Sequence, residues 1–94
     1  MTILRIEHPV PNFEGWKKVF DSDPIDRKGS GVTNYHIYRS VTEPNFVTVD
    51  LCFNNLQDAE KALAALRRLW EQVDGKVIQG PQARILDMVE SAEL

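Results

Sequence analysis

Cysteine is nearly absent from this chain, with Cys52 the only one. A lone cysteine excludes an internal disulfide, and the lack of any CxxC pair or Cys/His cluster leaves nothing that points to a bound metal. Basic runs are missing too. No stretch of Lys or Arg exceeds two residues and the net charge is −3. A nucleic-acid partner is therefore not expected, because phosphate recognition needs a basic face that displaces counterions. No apolar stretch approaches the ~18 residues of a membrane span, and no apolar core of roughly 7–15 residues follows a basic start. The expected setting is the cytoplasm, without a membrane partner.

What is present reads as globular: 43% hydrophobic and 27% charged residues, more apolar than a disordered chain. The 94 residues suit one domain, 1–94. A chain this short buries only ~60–65% of its unfolded surface, so its core is thin and a partner subunit would add to it.

The most informative stretch is Val32–Phe53, two alternating runs around Thr42–Asn45 with Pro44 in the turn. A period of two places Tyr35, Ile37 and Val41 on one face with Val47, Val49, Leu51 and Phe53. The other face carries Asn34, His36, Tyr38, Thr48, Asp50 and Cys52. A register that keeps the aliphatic sets together makes His36, Tyr38 and Asp50 direct or diagonal neighbours.

Before this hairpin, Ile3–His8 alternates as a strand, with Leu4, Ile6 and His8 on one face and Ile3, Arg5 and Glu7 on the other. Pro9 and Pro11 end it. Asn12 is a good N-cap and Glu14 suits the positive first turn. Phe13, Trp16, Val19 and Phe20 then recur at helical spacing over residues 13–22. Asp21–Gly31 is a long irregular stretch broken by Pro24, Gly29 and Gly31, of a kind that can serve as a lid or a plain surface loop.

After the hairpin, Asn54 or Asn55 offers a cap, with Gln57 or Asp58 completing a capping box. Leu56, Ala59, Leu63, Leu66, Trp70 and Val73 form a helical stripe over residues 56–73, widened by Ala62 and Leu69. Gly75 is read as the helix stop and Val77–Gly80 as a connector. Gln82–Glu90 is the last strand, with Ala83, Ile85 and Val89 on one face and Arg84, Leu86 and Met88 on the other.

The order is strand, helix, strand, strand, helix, strand: an α+β, ferredoxin-like βαββαβ arrangement with a four-stranded antiparallel sheet. Two helices cover one face only. Ile3, Tyr38, Leu86 and Met88 would leave the other too apolar to stay wet, which predicts a homodimer closing sheet on sheet.

The pattern EHPVPNFEGWKKVFDSDP…GVTNYHIYR…PNFVTVDLCF…AEKALAALRRLW…PQARILDMVE resembles the dimeric α+β barrel superfamily, and within it the small antibiotic-biosynthesis-monooxygenase-like proteins. The resemblance implies a ligand pocket between sheet and helices or inside the barrel. The activities it implies include cofactor-independent oxygenation of aromatic compounds, haem degradation and isomerisation. Haem-degrading members place a ligand histidine near the second helix, whereas the histidines here are His8 and His36. The asparagine and tryptophan of oxygenating members are sought in Asn34 and Trp16.

Two readings of the polar face stay open. His36, Tyr38 and Asp50 could form a catalytic group, with Asp50 orienting His36 as base and Tyr38 positioning an oxygen. Alternatively they are a hydrogen-bonded layer at a dimer interface. Asn34 and Thr48 extend either network, and Arg84 could hold an anionic group or an interface ion pair. His8 and Trp16 are further ligand-binding candidates, each with a core reading beside it. The function expected is binding of a small apolar or aromatic ligand by a dimer. Its chemistry would be that of a monooxygenase or isomerase needing no cofactor. The alternative is a non-catalytic dimeric module of regulation or assembly.

Overall fold

The computed structural model describes residues 1–73 and 78–94. Chain order is β1 (Thr2–Pro9), α1 (Phe13–Asp21), β2 (Val32–Arg39), β3 (Phe46–Phe53), α2 (Leu56–Val73) and β4 (Gln82–Asp87). The strands form one antiparallel sheet in the order β2-β3-β1-β4, which is the ferredoxin-like arrangement expected.

Register sorts the side chains. Leu4 lies opposite Leu51 and Ile6 opposite Val49, while on the other side of β3 Tyr35 meets Leu51 and Ile37 meets Val49. Each aliphatic pair therefore faces the helices. Leu4, Val47 and Phe53 are fully buried there, joined by Ala59, Ala62 and Leu66 of α2. The two alanines let the helix axis approach the sheet closely, since neither side chain reaches beyond its Cβ.

Helix starts follow the cap chemistry. Asn12 sits in extended conformation and its Oδ1 accepts from the Gly15 amide at 2.8 Å. At α2 the cap is Asn55, whose Oδ1 accepts from the Asp58 amide at 2.8 Å while its Nδ2 donates to the Asp58 carboxylate at 3.2 Å. This differs from the reciprocal capping box, because the Asp58 side chain returns to the cap's amide group instead of its backbone. Short α1 is held mainly by rings: Phe13 on Trp16 at 5.8 Å, Trp16 on Phe20 at 5.3 Å, and Phe20 edge-on to Tyr35 at 5.1 Å.

Four sequence expectations are corrected. Val41 lies beyond the end of β2 and is fully exposed, because pairing with β3 stops at Arg39 opposite Val47. Val89 is also exposed, since β4 runs out of partner at Asp87 opposite Thr2. Leu56 starts α2 on the solvent side and stays half exposed. Tyr35 points to the helix face yet remains substantially exposed, because β2 is an edge strand that the helices only partly reach. Gly75 and Val77 lie outside the described residues.

The 22–31 connection is folded around Arg27. Its amide donates to Asp23 Oδ1 at 2.8 Å and its Nη1 to the Phe20 carbonyl at 2.6 Å, while Ser30 Oγ donates to the Ile25 carbonyl at 2.6 Å. Gly31 closes the segment with φ +95°, and a Cβ built there would stand 2.7 Å from an Asp58 carboxylate oxygen. Both the backbone conformation and the close approach demand glycine. Gly31→Ala is expected to lower stability by about 1–2 kcal/mol in urea denaturation. A midpoint equal to the wild type would show that neither constraint operates.

Candidate functional site

The sheet has two chemically distinct faces, and the sequence-derived candidates divide between them. On the face away from the helices, His36 is the direct cross-strand partner of Asp50, Tyr38 of Thr48 and Asn34 of Cys52. The neighbourhood is as the alternation predicts, but the bonding differs. Both Asp50 oxygens go to Arg5, with Nε at 2.8 Å and Nη2 at 2.9 Å. β1 sets Arg5 opposite Asp50 on one side and opposite Arg84 on the other. Two like charges abreast repel, and each is balanced by its own acid. Asp50 neutralises Arg5, and Glu7 accepts from Arg84 Nη2 at 3.3 Å and from Thr48 Oγ1 at 3.4 Å. The bidentate contact to Asp50, reinforced by its charge, raises the Arg5 pKa still further above its ordinary value.

His36 is thus left to its own strand. It stands 3.4 Å from the Asn34 amide nitrogen and stacks at 6.4 Å on Tyr38, and all three residues are exposed. Asp50 itself is only 4% exposed, shut in by its arginine. Cys52, also on this face, is buried, and desolvation and then the Asp50 charge push its thiol pKa up. Both effects favour the thiol over the thiolate. Ile3 and Leu86 are half-buried here, and Tyr38 and Met88 are exposed.

On the helix face the structure holds a cavity of about 80 Å³ between the sheet and both helices. Its walls are almost wholly apolar, with Trp16 and Phe20 from α1, Leu66 and Trp70 from α2, Ile25 from the following loop and Val49 from the sheet. Two polar side chains interrupt them, His8 and Arg27. His8 is 3% exposed and meets Trp16 edge-on at 6.0 Å. Its Nδ1 lies 3.2 Å from the Pro9 carbonyl. A carbonyl only accepts, so Nδ1 carries the proton in that contact and Nε2 keeps a free lone pair. Burial lowers the His8 pKa, opposed by the smaller effect of the Pro9 bond. His8 is therefore a neutral imidazole with one nitrogen anchored.

The structure accordingly brings His8 and Trp16 together and sets Asn34 apart from Trp16, with the sheet between them. It joins Thr48 and Arg84 through Glu7, and leaves the His36 ring away from the Asp50 charge. Arg27 was not singled out by sequence reasoning. Nothing in a mixed-charge loop signals that one arginine turns inward. Among the described residues no group of His, Cys, Asp and Glu is arranged to hold a metal ion, and no helix is long and apolar enough to cross a membrane.

No family model matches the chain, and no curated protein is significantly similar to it in sequence. Solved structures are similar in fold. A protein from Deinococcus radiodurans, provisionally named an antibiotic biosynthesis monooxygenase, superposes with a TM-score of 0.69 at 11% identity over 100% of this chain and 98% of its own. A provisionally named antibiotic biosynthesis monooxygenase from Bordetella bronchiseptica gives 0.66 at 17% identity over 95% and 98%. A dimeric ferredoxin-like protein from an uncultured marine organism gives 0.67 at 12% identity over 97% of each chain. At such identities the likeness extends to the fold, and in fold the chain resembles these proteins over nearly its full length.

The environment of His8 has a measurable consequence. Above its ordinary value of 6.5 the imidazole is neutral in both folded and unfolded chains and contributes no pH dependence. Below that value the unfolded chain takes up a proton that the buried ring resists, so stability falls with falling pH by up to about 1.4 kcal/mol per unit. The loss continues down to the lowered folded-state value. Urea titrations between about pH 7.5 and about pH 5.5 should show a steeper decline in the wild type than in His8→Leu. Groups other than His8 cancel in the difference, and parallel curves would mean that His8 is not a buried neutral ring.

Proposed function

We propose that this chain forms a two-fold dimer through its uncovered sheet face and binds a small aromatic or apolar molecule in the cavity between sheet and helices, as one domain spanning residues 1–94. The observation that carries the binding site is His8: a buried imidazole, anchored at Nδ1, on the wall of an apolar cavity lined by two tryptophans. A few fixed polar groups in an otherwise apolar hollow are the usual makeup of a ligand site. Nε2 of His8 would accept a hydrogen bond from a ligand hydroxyl. With an acidic enough phenol or activated C–H, it would accept the proton itself. Removing that proton raises the electron density of the ring, which is what a cofactor-independent isomerisation or reaction with dioxygen requires. Burial makes the imidazolium costly, so transfer depends on the ligand anion staying beside it as counter-charge.

This assigns the acid–base role to His8 in place of His36. The pairing of Asp50 with Arg5 supports reading Asn34, His36, Tyr38, Thr48 and Arg84 as the polar part of an interface. Exposed Tyr38 and Met88 beside half-buried Ile3 and Leu86 support closure of that face by a second copy, as does the likeness to a dimeric ferredoxin-like protein. Light scattering should return twice the mass of one chain, and Leu86→Asp should halve it. A wild-type monomer at micromolar concentration would sink the dimer.

One measurement favours a rival. The cavity, about 80 Å³, is smaller than the ~150 Å³ that accommodates benzene in an engineered core and far below the ~300 Å³ of common ligand pockets. A non-catalytic dimeric module would have such a remnant hollow. Calorimetric titration with phenol and 1-naphthol separates the two. Binding that weakens about tenfold in His8→Leu, the loss of one hydrogen bond to a buried acceptor, supports the site. No heat with either compound supports the module.

A further inference from the structure

One side chain lines two of the structure's hollows. Arg27 lines the interior hollow, and it also lines an open hollow of about 790 Å³ on the outside, with Asp23, Lys28, Val32, Thr33, Asn34 and Tyr35. Phe20 belongs to the inner wall and Tyr35 to the outer one. The Arg27 guanidinium lies beside this pair of rings, 4.0 Å from the Phe20 ring centroid and 5.1 Å from that of Tyr35. Its Nη1 donates to the Phe20 carbonyl at 2.6 Å and its Nε lies 3.5 Å from Asp23 Oδ1.

We propose that Arg27 is the gate of the cavity: its side chain is the partition between the inner and outer hollows, and its outward swing joins them into one ligand-sized space. The proposal rests on the ligand-binding reading above, and it explains how a hollow too small for a drug-sized molecule could serve as a site. The latch is well suited to reversible opening. Each of its contacts is a side-chain interaction that Arg27 can exchange for water, without moving the strands and helices that supply most of the inner wall. The loop backbone is held independently, because the Arg27 amide bonds to Asp23 Oδ1 whatever its side chain does. Both flanking aromatics stay in contact with each other edge-on at 5.1 Å, so the rim survives when the guanidinium leaves.

Because the ligand-sized space exists only with Arg27 swung out, the occupied protein holds the gate open and closure of the empty hollow competes with binding. Removing the gate side chain therefore speeds entry and tightens binding, whereas removing a binding residue weakens it. Trp16 and Trp70 line the cavity and report its occupancy directly. The probe is 4-bromophenol, whose bromine quenches indole fluorescence on contact, followed by stopped flow with excitation selective for tryptophan. In Arg27→Ala the association rate should rise roughly tenfold, as for loss of one charge-assisted hydrogen bond from the closed state, with the dissociation constant lower by a similar factor. Asp23→Asn keeps an oxygen for the Arg27 amide and tolerates the left-handed φ of 59° at that position, but removes the charge that holds the guanidinium. It should give an intermediate acceleration, and it carries the test if Arg27→Ala does not fold. Equal rates in wild type and both variants, with quenching intact, would overturn the gate and leave the ligand site standing. Weaker binding in Arg27→Ala would make Arg27 a binding residue and also overturn the gate. Absence of quenching in all three proteins would remove the ligand site, and the gate with it.

Discussion

The registration of β1 on β3 decides more of this molecule than any other feature. Leu4 opposite Leu51 and Ile6 opposite Val49 place the aliphatic half of each strand under the helices. The same alignment puts Arg5 opposite Asp50 on the reverse side. A slip of one residue would exchange the faces of β1, burying Arg5 and Glu7 under α2 and exposing Leu4 and Ile6. The hydrophobic pairing and the bidentate ion pair therefore select one alignment from opposite sides of the sheet. The ion pair adds little as raw attraction, since Arg5 is about one-third exposed and salt bridges near water are weak. Its larger role is to give a buried carboxylate its counter-charge, without which Asp50 would resist burial.

From that alignment follows the separation of the two histidines. His8 shares the face of Leu4 and Ile6 and comes to lie beneath the rings of α1, desolvated and neutral. His36 shares the face of Asp50 and stays in water beside Tyr38. The residue type is the same, and the environment makes one a cavity lining and the other a surface group. The charged partner that proximity offers His36 is already committed, because a planar guanidinium with two parallel N–H donors matches a carboxylate better than an imidazole edge does.

One-sided cover has a second effect. Two helices reach the inner strands but leave the edge strand β2 partly bare, and the gap between α1, α2 and the sheet is filled by aromatic rings together with aliphatic chains. Large planar rings on a short helix pack with their edges and leave corners. The cavity lies at such a corner, bounded by Trp16, Phe20 and Trp70, with the loop after α1 folded across its side. The same loop brings Arg27 back onto Phe20, so the aromatic seam of one short helix supplies part of the lining and the surface on which Arg27 rests.

Local chemistry in the chain was enough for the elements and their order. Alternation in Val32–Phe53, the aromatic spacing of α1, the Asn caps and the stripe of α2 each involve neighbours within a few residues, where side-chain period and hydrogen bonding are set by the backbone alone. The hairpin alternation even placed His36 beside Asp50 correctly, since a cross-strand neighbour follows from register. Which partner Asp50 would take did not follow, because Arg5 lies 45 residues away and enters only when β1 inserts between β3 and β4. Strand ends at Val41 and Val89 were misread for a related reason: a strand stops where its neighbour stops. The inward turn of Arg27 and the depth of His8 likewise exist only once helix, loop and sheet enclose a volume. Composition and period specify what each segment prefers, while enclosure, and with it every desolvated group, is a property of segments brought together.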